Sequence, residues 1–179
     1  MMFTKILVAL DHSAAAPLLF QKALELAQPL GAELLLLSVL TPDGDGNLPL
    51  PDYSGLTSYA IGTSANLWEM YLKSYRDYEI AATARLRNFV EQSSAVGVTS
   101  QFKQINGDVG RVVCEQANDW SADLVLVGSR GRKGLSEMLL GSVSNYVMHH
   151  ATCSVLVVHD SKKTEADTKA DQKVTVEQS

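Results

Sequence analysis

Residues 5–40 decide the fold, and they read KILVAL at 5–10, DHSAAAPLLFQKALELAQPLGA at 11–32 and ELLLLSVL at 33–40. The first and third pieces are short, continuous apolar runs, which is the pattern of strands buried on both faces. The middle piece repeats apolar residues at helical spacing, with Ser13 or Asp11 as the expected N-cap and Gly31 as the stop signal. Strand, helix and strand within about 40 residues form a βαβ unit, so the two strands should be parallel.

The rest of the chain continues the alternation of strand and helix. It therefore predicts an α/β domain, with an open five-stranded parallel sheet and helices on both faces. The elements expected after residue 40 are a helix from Ser64 to about Ala95, a strand from Gly97 to Ile105, a helix from Val109 to about Asn118 capped by Asp108, a strand from Asp123 to Gly128, a helix from Gly141 to about His150 and a strand from Ser154 to Val158.

One face of the long helix at 64–95 carries apolar and aromatic residues at helical spacing. Core packing is the preferred interpretation of this stripe, and base stacking is the alternative. Its members are Leu67, Tyr71, Tyr75, Tyr78, Ala82, Leu86 and Phe89.

The domain organisation follows from two polar segments. Residues 41–63 are rich in proline, glycine and aspartate, and they predict a long loop of the kind that either serves a function or is disordered. Residues 161–179 hold four lysines and four acidic residues among small polar ones. Such a segment has too little apolar surface to offset the entropy of ordering, so we expect a disordered tail. Residues 1–160 are expected to form one domain.

Charge and composition restrict the class of partner. The formal net charge of −5 argues against nucleic acid, because a phosphate backbone needs a large basic face. The longest apolar stretch, at 34–40, is far shorter than the roughly 20 residues that span a bilayer, and residues 1–5 show no cleavable signal pattern. We expect no membrane contact and a cytoplasmic location. Cys114 and Cys153 are expected to be buried free thiols, since a disulfide framework needs more cysteines.

The chemistry is expected at the ends of strands, because ligands of open α/β sheets bind beyond the carboxyl ends of the strands. Asp11 follows the first strand, and GSRGRKGLS at 128–136 follows the fourth. The glycines of that segment let backbone amides approach an anion, and its three cations add local positive charge. Residues 141–144, GSVS, begin a helix whose free N–H groups and dipole favour an anion. Together the two segments predict a polyphosphate site.

Two common phosphate-binding loops do not fit the chain. The P-loop requires Gly-x4-Gly-Lys-Ser/Thr, and no glycine followed by lysine stands at that spacing. The dinucleotide fingerprint Gly-x-Gly-x-x-Gly should follow the first strand, where residues 10–13 read LDHS without a glycine. Both loops are therefore rejected.

The spacing Gly128-x2-Gly131-x9-Gly141-Ser142 resembles the ATP-binding signature of the universal stress protein family. The resemblance extends over residues 3–158. It includes ILVALDHS at 6–13, ADLVLVGSRG at 122–131, LGSVS at 140–144 and CSVLVV at 153–158. Because these motifs occur in the right order, the resemblance is much more specific than an isolated pair of glycines.

The resemblance implies a Rossmann-like sheet with strand order 3-2-1-4-5, of the adenine nucleotide alpha hydrolase type. It implies ATP or AMP as the bound ligand, with Mg²⁺ as a candidate ion held through the phosphates, and a homodimer formed through Val155 to Val158. It assigns Asp11 to the adenosine end and the backbone of Val39 to the adenine. The remaining implied binding residues are Val127, Gly128, Arg130 and Gly131 on the ribose and phosphate wall, and Gly141, Ser142, Val143 and Ser144 on the phosphates.

The function implied by the resemblance is that of a dimeric nucleotide sensor or adaptor in a stress response, with its protein partner unknown. A slow ATPase is the first alternative. Efficient turnover is not indicated, because phosphoryl transfer needs a positioned base and usually a metal held by carboxylates, and only Asp11 and Glu137 stand near the glycine segment. A nucleotide-independent scaffold is the second alternative, and the complete glycine–serine spacing argues against it.

Three other residues attract catalytic or metal-binding interpretations that we do not favour. His12 is expected to be a surface residue rather than a base. His149 and His150 are expected to interact with the helix dipole rather than with a metal, since adjacent residues do not share a helix face.

Overall fold

The computed structural model of the protein describes residues 3–41, 61–129 and 140–159. The alternation of strands and helices expected from the sequence is confirmed within these ranges. The elements are β1 (Lys5–Ala9), α1 (Ala16–Leu30), β2 (Glu33–Leu40), α2 (Ile61–Ala95), β3 (Ser100–Asn106), α3 (Val109–Asp119), β4 (Leu124–Gly128), α4 (Ser142–His150) and β5 (Ser154–Val158).

Some of the expected boundaries are wrong by a few residues. Helix α2 begins at Ile61 rather than Ser64, so residues 61–63 are helical and not part of the expected loop. Strand β3 begins at Ser100, because Gly97 has a φ of 76° and turns the chain after α2. The remainder of the expected loop from residue 42 onward and the expected tail at 161–179 lie outside the described residues.

The five strands form one parallel sheet in the order β3-β2-β1-β4-β5, which confirms the predicted fold class and strand order. Val8 lies at its centre, paired with Leu36 of β2 on one side and Leu126 of β4 on the other. The chain passes from β1 to β2 in one direction and later returns to place β4 on the opposite side of β1. The winding therefore reverses between β1 and β4, which is where ligand crevices form in such sheets.

Two hydrophobic cores cover the two faces of the sheet. Ile6 and Val8 of β1 point into the core beneath α1 and α2, whereas Leu7 points into the core beneath α3 and α4. All three side chains are fully buried. Because successive residues of a strand alternate between faces, burial on both faces requires the unbroken apolar runs seen in the sequence.

The start of α1 differs from the expected arrangement. The N-cap is Ala15, with no side-chain capping bond, so the expected capping by Asp11 or Ser13 is wrong. Asp11 Oδ1 instead accepts hydrogen bonds from the backbone N–H of Ser13 at 3.1 Å and from its hydroxyl at 2.6 Å. The Ser13 hydroxyl oxygen in turn accepts from the N–H of Ala15 at 3.2 Å. These local bonds hold Asp11 in a compact turn at the end of β1.

Helix α2 is packed unevenly along its length. Ala82, Leu86 and Phe89 are buried against the sheet and α1, as expected for a core stripe. Residues 72–81 are exposed except for Tyr75 and Tyr78, which are half-buried. Core packing is therefore confirmed for Ala82, Leu86 and Phe89. The side chains of Leu67 and Tyr71 lie outside the described set.

Both cysteines are free, as expected, but they are half-buried rather than buried. They pack against the core beneath α3 and α4. Burial raises the pKa of the Cys114 thiol, with Cys153 and Glu115 nearby adding to the rise. Burial also raises the pKa of the Cys153 thiol. Both thiols are therefore protonated at neutral pH and are poor nucleophiles.

A carboxylate at the amino edge of the sheet joins β1 to β4. Asp123 Oδ2 accepts three hydrogen bonds, from the hydroxyl of Thr4 at 2.7 Å, the N–H of Thr4 at 2.8 Å and the N–H of Lys5 at 2.9 Å. These bonds favour the charged form, and they lower the pKa of Asp123 from its ordinary value.

The Asp123 bonds predict a pH-dependent contribution to stability. The pKa of Asp123 in the folded protein is below its unfolded value of about 3.9. The stabilisation by these bonds is therefore fully present above that pH, and it is lost as the pH falls through the folded-state pKa. Asp123→Asn should therefore lower the Tm at pH 7, and its difference from the parent protein should shrink below about pH 4. Asp77→Asn, at an exposed position of α2, controls for the change in net charge. A Tm difference for Asp123→Asn that is equal at pH 7 and pH 3 would contradict the assignment.

Candidate functional site

The candidate site lies at the carboxyl edge of the sheet, where β1 and β4 end side by side. Asp11 stands two residues beyond β1 and is half-buried. Gly128 is the last residue of β4 and pairs with Val158 of β5. One oxygen of Asp11, Oδ1, is used by the turn at Ser13, which leaves Oδ2 as the acceptor available to a ligand.

Ser129 joins the end of β4 to the start of α4. Its side chain and backbone are buried, with 5% of the residue exposed. Its N–H donates to the Val158 carbonyl at 2.8 Å, and its own carbonyl accepts from the Gly141 N–H at 2.8 Å. The strand-end glycine and the helix start are therefore adjacent in the structure, although 11 residues of chain lie between Ser129 and Gly141.

The first turn of α4 supplies backbone amides to this edge. Gly141 is the N-cap, and among the described residues no side chain caps the helix. The first N–H groups of a helix lack intrahelical partners, so those of Ser142, Val143 and Ser144 are the natural donors for an anion. Ser142 is exposed and Val143 is half-buried.

Ser144 makes a contact that the sequence did not indicate. Only 1% of the residue is exposed, and its hydroxyl donates to the Gly141 carbonyl at 2.9 Å, with the Ser129 carbonyl at 3.4 Å. The hydroxyl is therefore used within the helix start. Its observed contacts hold the helix start against β4, and its backbone N–H remains the group that a ligand could use.

Val39 and Val127 lie close to the ends of β2 and β4. Val127 is 2% exposed in the core beneath α3 and α4, and Val39 packs against the same core. Since both side chains are used in packing, the groups that these residues can offer a ligand are in the backbone.

Arg130 and Gly131 lie outside the described residues, as do Arg132, Lys133 and Glu137.

His12 is one residue that the sequence interpretation misjudged. It is half-buried rather than on the surface, and its ring centroid is 4.5 Å from that of Tyr78 with an interplanar angle of 45°. Nearby, the Tyr75 hydroxyl donates to Asn106 Oδ1 at the end of β3 at 3.0 Å. The two tyrosines thus attach the exposed half of α2 to the ends of β1 and β3. Their helical spacing was the available signal, but it was interpreted as core packing.

His149 and His150 end α4, and His150 contacts its own helix. His150 Nδ1 lies 2.8 Å from the Tyr146 carbonyl oxygen, and the two rings stack with centroids 4.0 Å apart. Within 3–41, 61–129 and 140–159, no three histidine, cysteine, aspartate or glutamate side chains come together in a metal-binding group. The described helices likewise include none that is both long and apolar enough to cross a membrane.

Comparison with solved structures supports the fold. A universal stress protein in complex with cAMP matches with a TM-score of 0.60 at 21% identity, over 89% of this chain and 98% of that one. A universal stress protein family protein from Arabidopsis thaliana with AMP bound matches with a TM-score of 0.56 at 21% identity, over 90% and 95%. At 21% identity, each match establishes a shared fold only.

Comparison of sequences identifies the family. The model of the universal stress protein family matches residues 2–159. Universal stress protein Sll1388 of Synechocystis is 37% identical over 156 residues, which cover 87% of this chain and 97% of the relative. The chain therefore belongs to the universal stress protein family.

Proposed function

We propose that this chain binds an adenine nucleotide, ATP or AMP, at the carboxyl edge of the sheet between β1 and β4. The observation that carries the proposal is the 2.8 Å hydrogen bond between the Gly141 N–H and the Ser129 carbonyl. That bond brings a strand-end glycine and uncapped helix amides together beside Asp11, which is a suitable environment for a phosphorylated ligand. The AMP and cAMP bound by two proteins of the same fold support the choice of an adenine nucleotide.

The proposed contacts divide between the two ends of the nucleotide. Asp11 Oδ2 accepts a hydrogen bond at the adenosine end, and the backbone of Val39 meets the adenine. Val127, Gly128, Arg130 and Gly131 line the ribose and the phosphates. The free amides of Ser142, Val143 and Ser144 bind the phosphates, which approach along the backbone of Gly141, and Mg²⁺, where present, is held through the phosphates themselves.

The proposed biological role is that of a dimeric nucleotide sensor or adaptor in a cytoplasmic stress response. Strand β5 is the edge of the sheet, and Leu156 at its centre is 39% exposed. An edge strand with exposed apolar residues is suited to pairing with a second copy of the chain, so we assign the dimer contact to Val155 through Val158.

Mass spectrometry of small molecules released from the purified, denatured protein tests the proposal. ATP or AMP should be recovered at about one per subunit, as expected for one ligand in one crevice. Asp11→Asn keeps an oxygen for the Ser13 turn but removes the second acceptor, so recovery should fall. Asp119→Asn, at the exposed end of α3, should leave recovery unchanged.

Absence of adenine nucleotide from the parent protein, together with no binding when ATP is added back, would refute the proposed function. Recovery of ADP that increases with time after ATP is added would add slow hydrolysis to the activity.

A further inference from the structure

Helices α3 and α4 meet at Gly110, which is buried in the first turn of α3. A Cβ atom built at Gly110 would lie 2.7 Å from Cδ1, 2.9 Å from Cγ and 3.1 Å from Cβ of Tyr146. Contacts below 3.0 Å are not tolerated between carbon atoms, so the Tyr146 ring rests directly on the Gly110 backbone. Only glycine permits the observed separation of the two helices.

The Tyr146 side chain has little freedom to move away. Its ring stacks on His150 with an interplanar angle of 11°, and the His150 ring nitrogen is held at the Tyr146 carbonyl. Two of the three close atoms, Cβ and Cγ, are also the ones nearest the α4 backbone. Relief of the contact therefore requires movement of α4 itself, because packed helices transmit strain rather than absorb it.

Movement of α4 would reach its first turn. Tyr146 follows Ser142 by one helical turn, and the Asn145 N–H donates to the Gly141 carbonyl at 2.9 Å. Gly141 is in turn bonded to Ser129, and the Ser144 hydroxyl closes the same turn. A displacement at Tyr146 would therefore change the position of the helix amides relative to β4.

We propose that Gly110 is a positioning residue for the phosphate end of the nucleotide site. Its bare backbone lets α4 lie close enough to α3 for the amides of Ser142 through Ser144 to face the end of β4. The inference rests on the proposed function for its ligand, but the placement of α4 by Gly110 does not depend on any ligand.

The first test measures that placement in nucleotide-free protein. Amide chemical shifts of residues 142–145 should change in Gly110→Ala, although alanine favours a helix more than glycine does. In a Tyr146→Ala background, Gly110→Ala should change these shifts much less, since the two closest ring atoms are absent. Such non-additivity is the signature of residues in direct contact. Unchanged shifts in Gly110→Ala would overturn the inference whether or not the protein binds nucleotide.

The second test measures binding by calorimetry with ATP and with adenosine. Gly110→Ala should weaken ATP binding roughly tenfold, within the roughly 5- to 150-fold range usual for coupling between linked sites. Adenosine affinity should be unchanged, because adenosine lacks the phosphates that α4 contacts. In the Tyr146→Ala background the loss for ATP should largely disappear. Equal losses of affinity for ATP and adenosine, or no loss for ATP, would overturn the inference. A different outcome would refute only the proposed function: the parent protein binds neither ligand, but Gly110→Ala still changes the amide shifts of residues 142–145.

Discussion

Replacement of Phe20 by alanine should lower the free energy of unfolding by about 3–5 kcal/mol, the usual cost of removing a buried aromatic ring. Phe20 is fully buried in α1, and its ring stacks on Phe89 of α2 with centroids 4.4 Å apart. The pair is the main aromatic contact between the two helices that cover one face of the sheet within the described residues. Loss of the ring would leave a cavity against Phe89 and remove the stacking contribution.

Equilibrium unfolding in urea, followed by circular dichroism, measures this change. Ile80→Ala provides a control, because Ile80 is 67% exposed on the same layer and its truncation should change stability by no more than about 0.5 kcal/mol. If Phe20→Ala lowers the free energy of unfolding by less than about 1 kcal/mol, α1 and α2 repack to fill the cavity and the prediction is wrong.

Replacement of Gly141 by valine should weaken ATP binding about 100-fold or more. The branched side chain would stand at the helix start beside the amides, and loss of two hydrogen bonds to a charged phosphate at about 1.5 kcal/mol each is sufficient for that factor. The fold should survive, because Gly141 has a φ of −59° and a ψ of 155°, which valine adopts without strain.

Isothermal titration calorimetry and thermal unfolding of the same samples separate binding from folding. Ser154→Val is the control. It places a valine side chain at the exposed start of β5, at the amino edge of the sheet and away from the carboxyl edge that holds the site, so ATP affinity should be unchanged. Retention of parental affinity by Gly141→Val would remove the α4 start from the site.

The fold was predictable where burial acts on local sequence. Strands β1, β2 and β4 are covered on both faces, so nearly every residue in them is apolar, and helix α1 ends at a glycine in the left-handed conformation. The alternation of elements follows from these patterns. The order of the strands does not, because apolar runs carry no information about their neighbours. That order came from the family resemblance, and the structure confirms it.

The contacts that build the site were less predictable, since they join residues that are distant in the chain. The Ser129–Gly141 bond, the His12–Tyr78 ring contact and the Gly110–Tyr146 contact leave no periodic signal in the sequence. The turn at Asp11 was misjudged for a different reason. Aspartate and serine serve equally well as helix caps and as turn formers, and only the backbone path decides between these uses.

Helix α2 is continuous, but its uneven packing divides it into two segments that differ in stability. From Ala82 onward, opening the helix exposes core residues, so its amide protons should exchange only with global unfolding. Residues 72–81 bury little of their surface, and their described contacts with the sheet ends include Tyr75 at Asn106, Tyr78 at His12 and the Gln104 amide at the Glu79 carbonyl. This segment can therefore melt as a separate low-energy foldon. Because these contacts lie at the end of β3 and just beyond β1, such melting alters the rim of the crevice while the sheet beneath remains intact.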